Sequence, residues 1–149
     1  MLPARADSVL AGDLRGVGGD LVACKLIKFT VPGPPCPKPS MKASDRWRKR
    51  PCVLRYWAWC DLARMCAKAA GCPTDSQLVK RFTLAAYFKP PDSKQDRIGK
   101  PHKQTPDADN LMKAGGDALF KRDEGLADVT ITKHWGKVSR VEITVELND

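Results

Sequence analysis

Thr105-Pro106-Asp107-Ala108-Asp109-Asn110-Leu111-Met112-Lys113-Ala114-Gly115-Gly116-Asp117-Ala118-Leu119 is the stretch around which the chain is organised. Pro106 stops any preceding helix and suits a helix entry. Asp and Asn are good N-caps, and acidic side chains are favoured in a first turn by the helix dipole. A helix is expected from about Asp109 to Phe120. If it starts near Ala108, Asp109, Lys113 and Asp117 share one face by the i, i+4 rule, and Asp107 sits just outside. An all-oxygen cluster of this kind suits Mg²⁺, which takes one or two carboxylates plus waters and phosphate oxygens. A lysine one turn on is a point charge suited to a phosphate. The same residues also read as plain caps with Lys113 as their ion-pair partner. Gly115-Gly116 costs such a helix about 1–2 kcal/mol relative to alanine.

On either side of this stretch the pattern is strand-like. Ile27, Phe29 and Val31 alternate with Lys28 and Thr30, a half-buried strand over Leu26 to Val31. The run Pro32-Gly33-Pro34-Pro35-Cys36-Pro37-Lys38-Pro39 ends it, because prolines donate no ladder hydrogen bond. Pro51 suits a first helical position, and Cys52 to Ala70 reads as an amphipathic helix with Asp61, Arg64 and Lys68 on its polar side, closed by Gly71 and Pro73. Its wide apolar surface fits packing against a sheet, a partner subunit, or both. Val79 to Phe88 alternates as a second strand. Lys89 to Lys103 reads as a mobile basic loop. Leu126 to Trp135 alternates as a third strand, with Lys133 interrupting its apolar side, and Val141, Ile143, Val145 and Leu147 mark a fourth. The last two strands are expected to pair as an antiparallel hairpin. The fold class is therefore α/β (α+β), one domain with a mixed sheet in the order β-α-β-α-β-β and two helices. Residues 1–20, with four glycines and no sustained period, read as a flexible N-terminal extension, and 21–149 as the domain.

The chain of 149 residues has a net charge of +9. The first twenty residues contribute −1, which leaves +10 for the rest. A basic domain that holds a cluster of acids fits a polyanionic partner with a cation between them. Lys42, Arg46, Arg48, Lys49, Arg50 and Arg55 face one acid, Asp45, with Trp47 among them. Such a run suits phosphates and unpaired bases. Trp57 and Trp59 are assigned to the core. The six cysteines contain no C-x-x-C pair and lie far in sequence from His102 and His134, so neither a zinc site nor a disulfide framework is expected. Cys52, Cys60 and Cys66 read as small hydrophobes in a reducing compartment. No apolar run is long enough for a membrane span and no signal-peptide layout opens the chain, which leads to a cytoplasmic expectation with no membrane partner.

Two motifs together resemble a known family. His102-Lys103-x-x-Pro106-Asp107-x-Asp109-Asn110-Leu111-x-Lys113-Ala114-x-x-Asp117-Ala118-Leu119, and Phe29-x-Val31-Pro32-Gly33-Pro34-Pro35-x-Pro37-Lys38-Pro39 before it, look like the signatures of the RusA-type Holliday junction resolvases. The resemblance spans about residues 26 to 147. It implies an Mg²⁺-dependent (Mn²⁺ as alternative), homodimeric, structure-selective endodeoxyribonuclease of bacterial, prophage or phage origin. Such an enzyme resolves four-way junctions by paired symmetric nicks in recombination and repair, with no small-molecule cofactor. Alternatives of the same fold are a non-catalytic branched-DNA-binding module and a nuclease for flaps. Carried residue by residue, the resemblance makes Asp107 and Asp109 metal ligands and Lys113 essential. The family's third acid comes from an Asp-Asp pair before the third strand. This chain has Arg122-Asp123-Glu124 and then Asp128. Asp123 is preferred as the third catalytic and metal-binding acid because it keeps the strand intact, and Asp128 is held in reserve. Lys38, Lys42, Arg46, Arg48, Lys49, Arg50, Lys100 and Lys103 are assigned to DNA binding.

Overall fold

A computed structural model describes residues 25–46 and 49–149. The expected N-terminal extension, Arg48 and the side chain of Arg46 lie outside the described residues. The elements are β1 (Leu26–Pro32), α1 (Pro51–Ala70), β2 (Val79–Phe88), α2 (Ala108–Leu119), β3 (Val129–Trp135) and β4 (Arg140–Leu147), with short 3₁₀ turns at Ala43–Arg46, Ser76–Leu78 and Asp92–Arg97. Pro51 opens α1, and Gly71, at φ 84°, closes it in the left-handed conformation that glycine adopts at low cost.

The sheet runs β1-β4-β2-β3, with β4 antiparallel to both neighbours and β2 parallel to β3. The expected β3–β4 hairpin is therefore wrong. β2 lies between the two strands, and the short connection Gly136–Ser139 straddles its end. Gly136 N–H donates to the Phe88 carbonyl, and the Ser139 hydroxyl accepts from Lys89 N–H. Two inter-strand spacings are only ~10 Å, within reach of so short a link. β2, α2 and β3 form instead a parallel crossover unit.

The register lines up rows of side chains across one face. Phe29, Ile143, Leu84 and Ile131 form one row, and Ile27, Val145, Phe82 and Val129 another. Both helices cover this face, α1 against β1 and α2 against β3. A methyl group on Gly115 would meet Leu84 Cδ1 at 2.8 Å, so this glycine lets α2 approach the sheet. A third row, Val31, Val141, Ala86 and Lys133, ends in a charge. The interruption of the β3 pattern thus places Lys133 on the helix side, at the sheet's edge.

Three further expectations are corrected. Trp59 is buried, but Trp57 is 44% exposed, on a side of α1 it shares with Leu54 and Met65. Residues 126–128 do not join β3, because Leu126 N–H is spent on the Asp123 carbonyl. Finally, the stretch before α2 is fastened along the open edge of β3. Gly99 N–H donates to Trp135 O, Trp135 N–H to Lys100 O, and His102 N–H to Lys133 O. Those bonds supply the partners that an edge strand lacks. His102 completes the attachment, with its ring stacked 3.9 Å from Phe88 and tilted against Trp135 at 4.3 Å. The five described cysteines, Cys36, Cys52, Cys60, Cys66 and Cys72, are free. Burial raises the thiols of Cys36, Cys60 and Cys66, and pushes Cys72 up to about 11. These act as packing groups rather than nucleophiles.

Candidate active site

The proline-rich loop after β1 and the acidic stretch before α2 meet. Lys38 N–H donates to the Asn110 carbonyl at 3.3 Å. Together they line a cleft of about 650 Å³, bounded by Pro37 to Met41 on one side and by Thr105, Pro106, Asp107, Asn110 and Lys113 on the other. Loop and helix are far apart in sequence. They meet because β1 and β3 lie at opposite edges of the sheet while the two helices pack against each other over the face between them.

Asp107 is the N-cap residue of α2 by its backbone: Leu111 N–H donates to its carbonyl, while its carboxylate makes no capping bond. The side chain is exposed and left for other work. Asp109 lies in the first turn, and Lys113 Nζ stands 3.9 Å from its Oδ2. Both are well exposed, and an ion pair of that kind adds little to stability. Further along the same face, Asp117 accepts a hydrogen bond from the Tyr56 hydroxyl at 3.0 Å and pairs with Lys38.

The two candidates for the third acid separate cleanly. A methyl on Gly116 would lie 3.4 Å from Asp123 Cβ, so Asp123 packs against α2. Seven helical residues advance by roughly 10 Å, which sets Asp123, at Gly116, about that far along α2 from Asp109. Asp128 lies on the other side of the sheet. Its carboxylate is 3.0 Å from Arg81 Nε, and Arg81 also holds Glu146 at 2.7 Å. Arg81 and Glu146 are paired in register on the face opposite Phe82. Among the described residues, no three His, Cys, Asp or Glu side chains are grouped closely enough to hold a metal ion. The donors of Asp107 and Asp109 are nonetheless all oxygen, exposed and beside a cleft. They fit a hard divalent cation that fills its remaining positions with water and phosphate oxygens.

The basic residues divide in the same way. Lys38 lines the cleft. Lys42, Lys49, Lys100 and Lys103 are exposed. Arg50 is committed to its own loop, with Nε and Nη2 each 2.8 Å from an Asp45 oxygen and Nη2 also 2.8 Å from the Ser40 carbonyl. That guanidinium lowers the Asp45 carboxyl to about 2. The residue missing from the sequence-based set is Lys133. Its amino group donates to the carbonyls of Gln104 and, at 2.7 Å, Pro106, immediately before Asp107. Its signal was a lysine on the apolar side of a strand.

The sequence model for endodeoxyribonuclease RusA matches residues 32–146. The chain belongs to the RusA family. No curated protein gives a significant match. The family consists of metal-dependent endonucleases that resolve Holliday junctions, so this RusA-family chain is an endodeoxyribonuclease that binds branched DNA. The matched span contains the cleft, both helices and all four strands save the first six residues of β1 and the last of β4. Among the described residues no helix is long and apolar enough to cross a membrane.

Proposed function

We propose that this RusA-family protein is a cytoplasmic, Mg²⁺-dependent homodimer that resolves four-way DNA junctions by paired symmetric nicks, with Mn²⁺ able to replace Mg²⁺. The observation that carries the reading is the convergence of both motif loops on one cleft, lined by Asp107, Lys38 and Lys113, with the Asp109 carboxylate 3.9 Å from the Lys113 ammonium. Asp107 and Asp109 would hold the ion, and Asp123, on the α2 side of the sheet, is the third acid in preference to Asp128. When bound, the ion supplies an activated water and charge stabilisation for phosphodiester hydrolysis.

The chain's own residues do the rest. Lys113 offsets charge growing on the phosphoryl oxygens. Lys133 fixes the carbonyls of Gln104 and Pro106, and so the direction in which Asp107 leaves the loop. Lys38, Lys42, Lys49, Lys100 and Lys103, with Arg46 and Arg48, grip phosphates of the arms, and binding then weakens steeply with salt. Leu54, Trp57 and Met65 leave an apolar strip on α1 that supports a second copy as its cover. A two-fold pair of active sites matches a two-fold junction.

The test is cleavage of a synthetic four-way junction with and without Mg²⁺, beside linear duplex and flap controls, using wild type and the Asp109→Asn, Asp123→Asn and Asp128→Asn variants. Expected are symmetric nicks in the junction, lost in Asp109→Asn and Asp123→Asn and kept in Asp128→Asn. Loss in Asp128→Asn alone would transfer the third-acid role. Tight junction binding without cutting under any divalent ion would replace the nuclease with a binding module.

A further inference from the structure

Asp117 and Tyr56 have no part in the chemistry above, yet they line a neighbouring cavity of about 330 Å³ that shares Lys38 and Met41 with the cleft. Asp117 follows Lys113 by four residues, and its carboxylate pairs with Lys38, which belongs to both cavities. Tyr56 is 4% exposed and aims its hydroxyl at the same Asp117 oxygen from α1. Burial, the first cause, together with Cys60 and Asp117, raises the phenol's pKa, so it remains a donor at every working pH. Lys38 and Asp117 are each about one-third exposed. An ion pair that wet adds little to folding, so stability alone does not account for the arrangement.

The charges along the α2 face alternate as Asp109, Lys113, Asp117, and Lys38 then lies against the last. Within the cleft itself, Asp107 is thus accompanied by two basic side chains, Lys113 and Lys38. A lysine on a free four-carbon stem loses much rotamer freedom when it binds a phosphate, and a side chain already held in place loses less. Lys38 is also fixed at its backbone by Asn110.

Resting on the nuclease reading, we propose that Tyr56 and Asp117 are positioning residues that hold Lys38 in the cleft, where it grips the phosphate of the cut strand neighbouring the scissile one. The Tyr56 hydroxyl orients the Asp117 carboxylate, the carboxylate holds the Lys38 ammonium, and the arriving phosphate takes over that ammonium as its counter-ion. Asp117 is accordingly a counter-ion and not a metal ligand.

The test is a double-mutant cycle with Tyr56→Phe, Lys38→Met and both together, plus Asp117→Asn, which keeps an acceptor for Tyr56 but not the charge. Two quantities are read: kcat and KM for junction cleavage in Mg²⁺, and the salt slope of junction binding in EDTA. Lys38→Met should lower kcat/KM about tenfold and reduce the salt slope by about one, the value of one phosphate contact. Tyr56→Phe and Asp117→Asn should each lower kcat/KM several-fold, mainly through KM. In the Lys38→Met background, Tyr56→Phe should cost less than twofold more, and Lys38→Arg should restore most of the activity. If the losses multiply in the double variant, Tyr56 acts independently of Lys38 and the proposal falls. It falls equally if Lys38→Met leaves the salt slope unchanged. A wild type that binds junctions but never cuts them would overturn the nuclease reading, and the EDTA slopes of the same variants would still decide the role of Lys38.

Discussion

Replacing Lys133 with methionine removes the contact that holds the start of the active-site loop. The Lys133 amino group donates to the Gln104 and Pro106 carbonyls and is partly buried. Hydrogen bonds to a charged group contribute about 1.5–3 kcal/mol each. Water can take over the freed carbonyls at this half-open edge, so the net cost is set below that range, ~2 kcal/mol for the pair. Since 1.36 kcal/mol is tenfold, the loop would hold its catalytic arrangement ~30-fold less often. The methionine keeps the apolar stem against the row of Ala86, so packing is largely retained. Single-turnover cleavage of a four-way junction should show kcat/KM down by ~30-fold. Because the loss is local, the thermal midpoint should fall by less than the ~8 °C that 2 kcal/mol would cost a domain of this size if it were global. A Lys133→Met variant within twofold of wild type in kcat/KM would refute the view that this clamp aims Asp107.

Four other outcomes follow from contacts already described. Gly115→Val should lower stability by ~2–3 kcal/mol, because a Cβ there already stands 2.8 Å from Leu84. Gly116→Ala, whose Cβ meets Asp123 at 3.4 Å, should be neutral or gain up to ~1 kcal/mol of helix propensity, both read by urea unfolding. His102 is held below its usual pKa, first by burial and then by Lys133, so it stays neutral in the fold. The unfolded chain then binds the extra proton, and the stability that rests on the neutral ring is complete above pH ~6.5 and lost as pH falls below it. Thermal midpoints from pH 7.5 to 5 should therefore drop further for wild type than for His102→Phe. For Asp45, whose carboxyl Arg50 lowers to about 2, the contribution is present above pH ~4 and disappears as pH falls toward 2. Asp45→Asn should flatten that acid limb in the same experiment.

Local patterns located the elements well. Alternation marked β2 over the residues it occupies, and Pro51 and Gly71 bracketed α1. The two motifs also named the cleft's main residues, because backbone stops and charged side chains declare themselves within a few positions. Strand order was not legible in this way. A short link after β3 reads as a hairpin from sequence, and only the competition of β2 for both neighbours places β4 in the middle of the sheet. Trp57 and Trp59 differ by two residues and look alike in the sequence, but helical geometry turns one inward and the other out.

The sequence by itself determined the elements, the basic charge and the acidic stretch at a helix start, since these depend on neighbours along the chain. The tertiary structure decided what meets what. It put Lys38 beside Asp117 and Tyr56, spent Arg50 on Asp45, turned Lys133 from a flaw in a strand into a clamp, and set Asp123 and Asp128 on opposite sides of the sheet. Those pairings join residues distant along the chain, and their partners follow from sheet order and register, which no local pattern encodes.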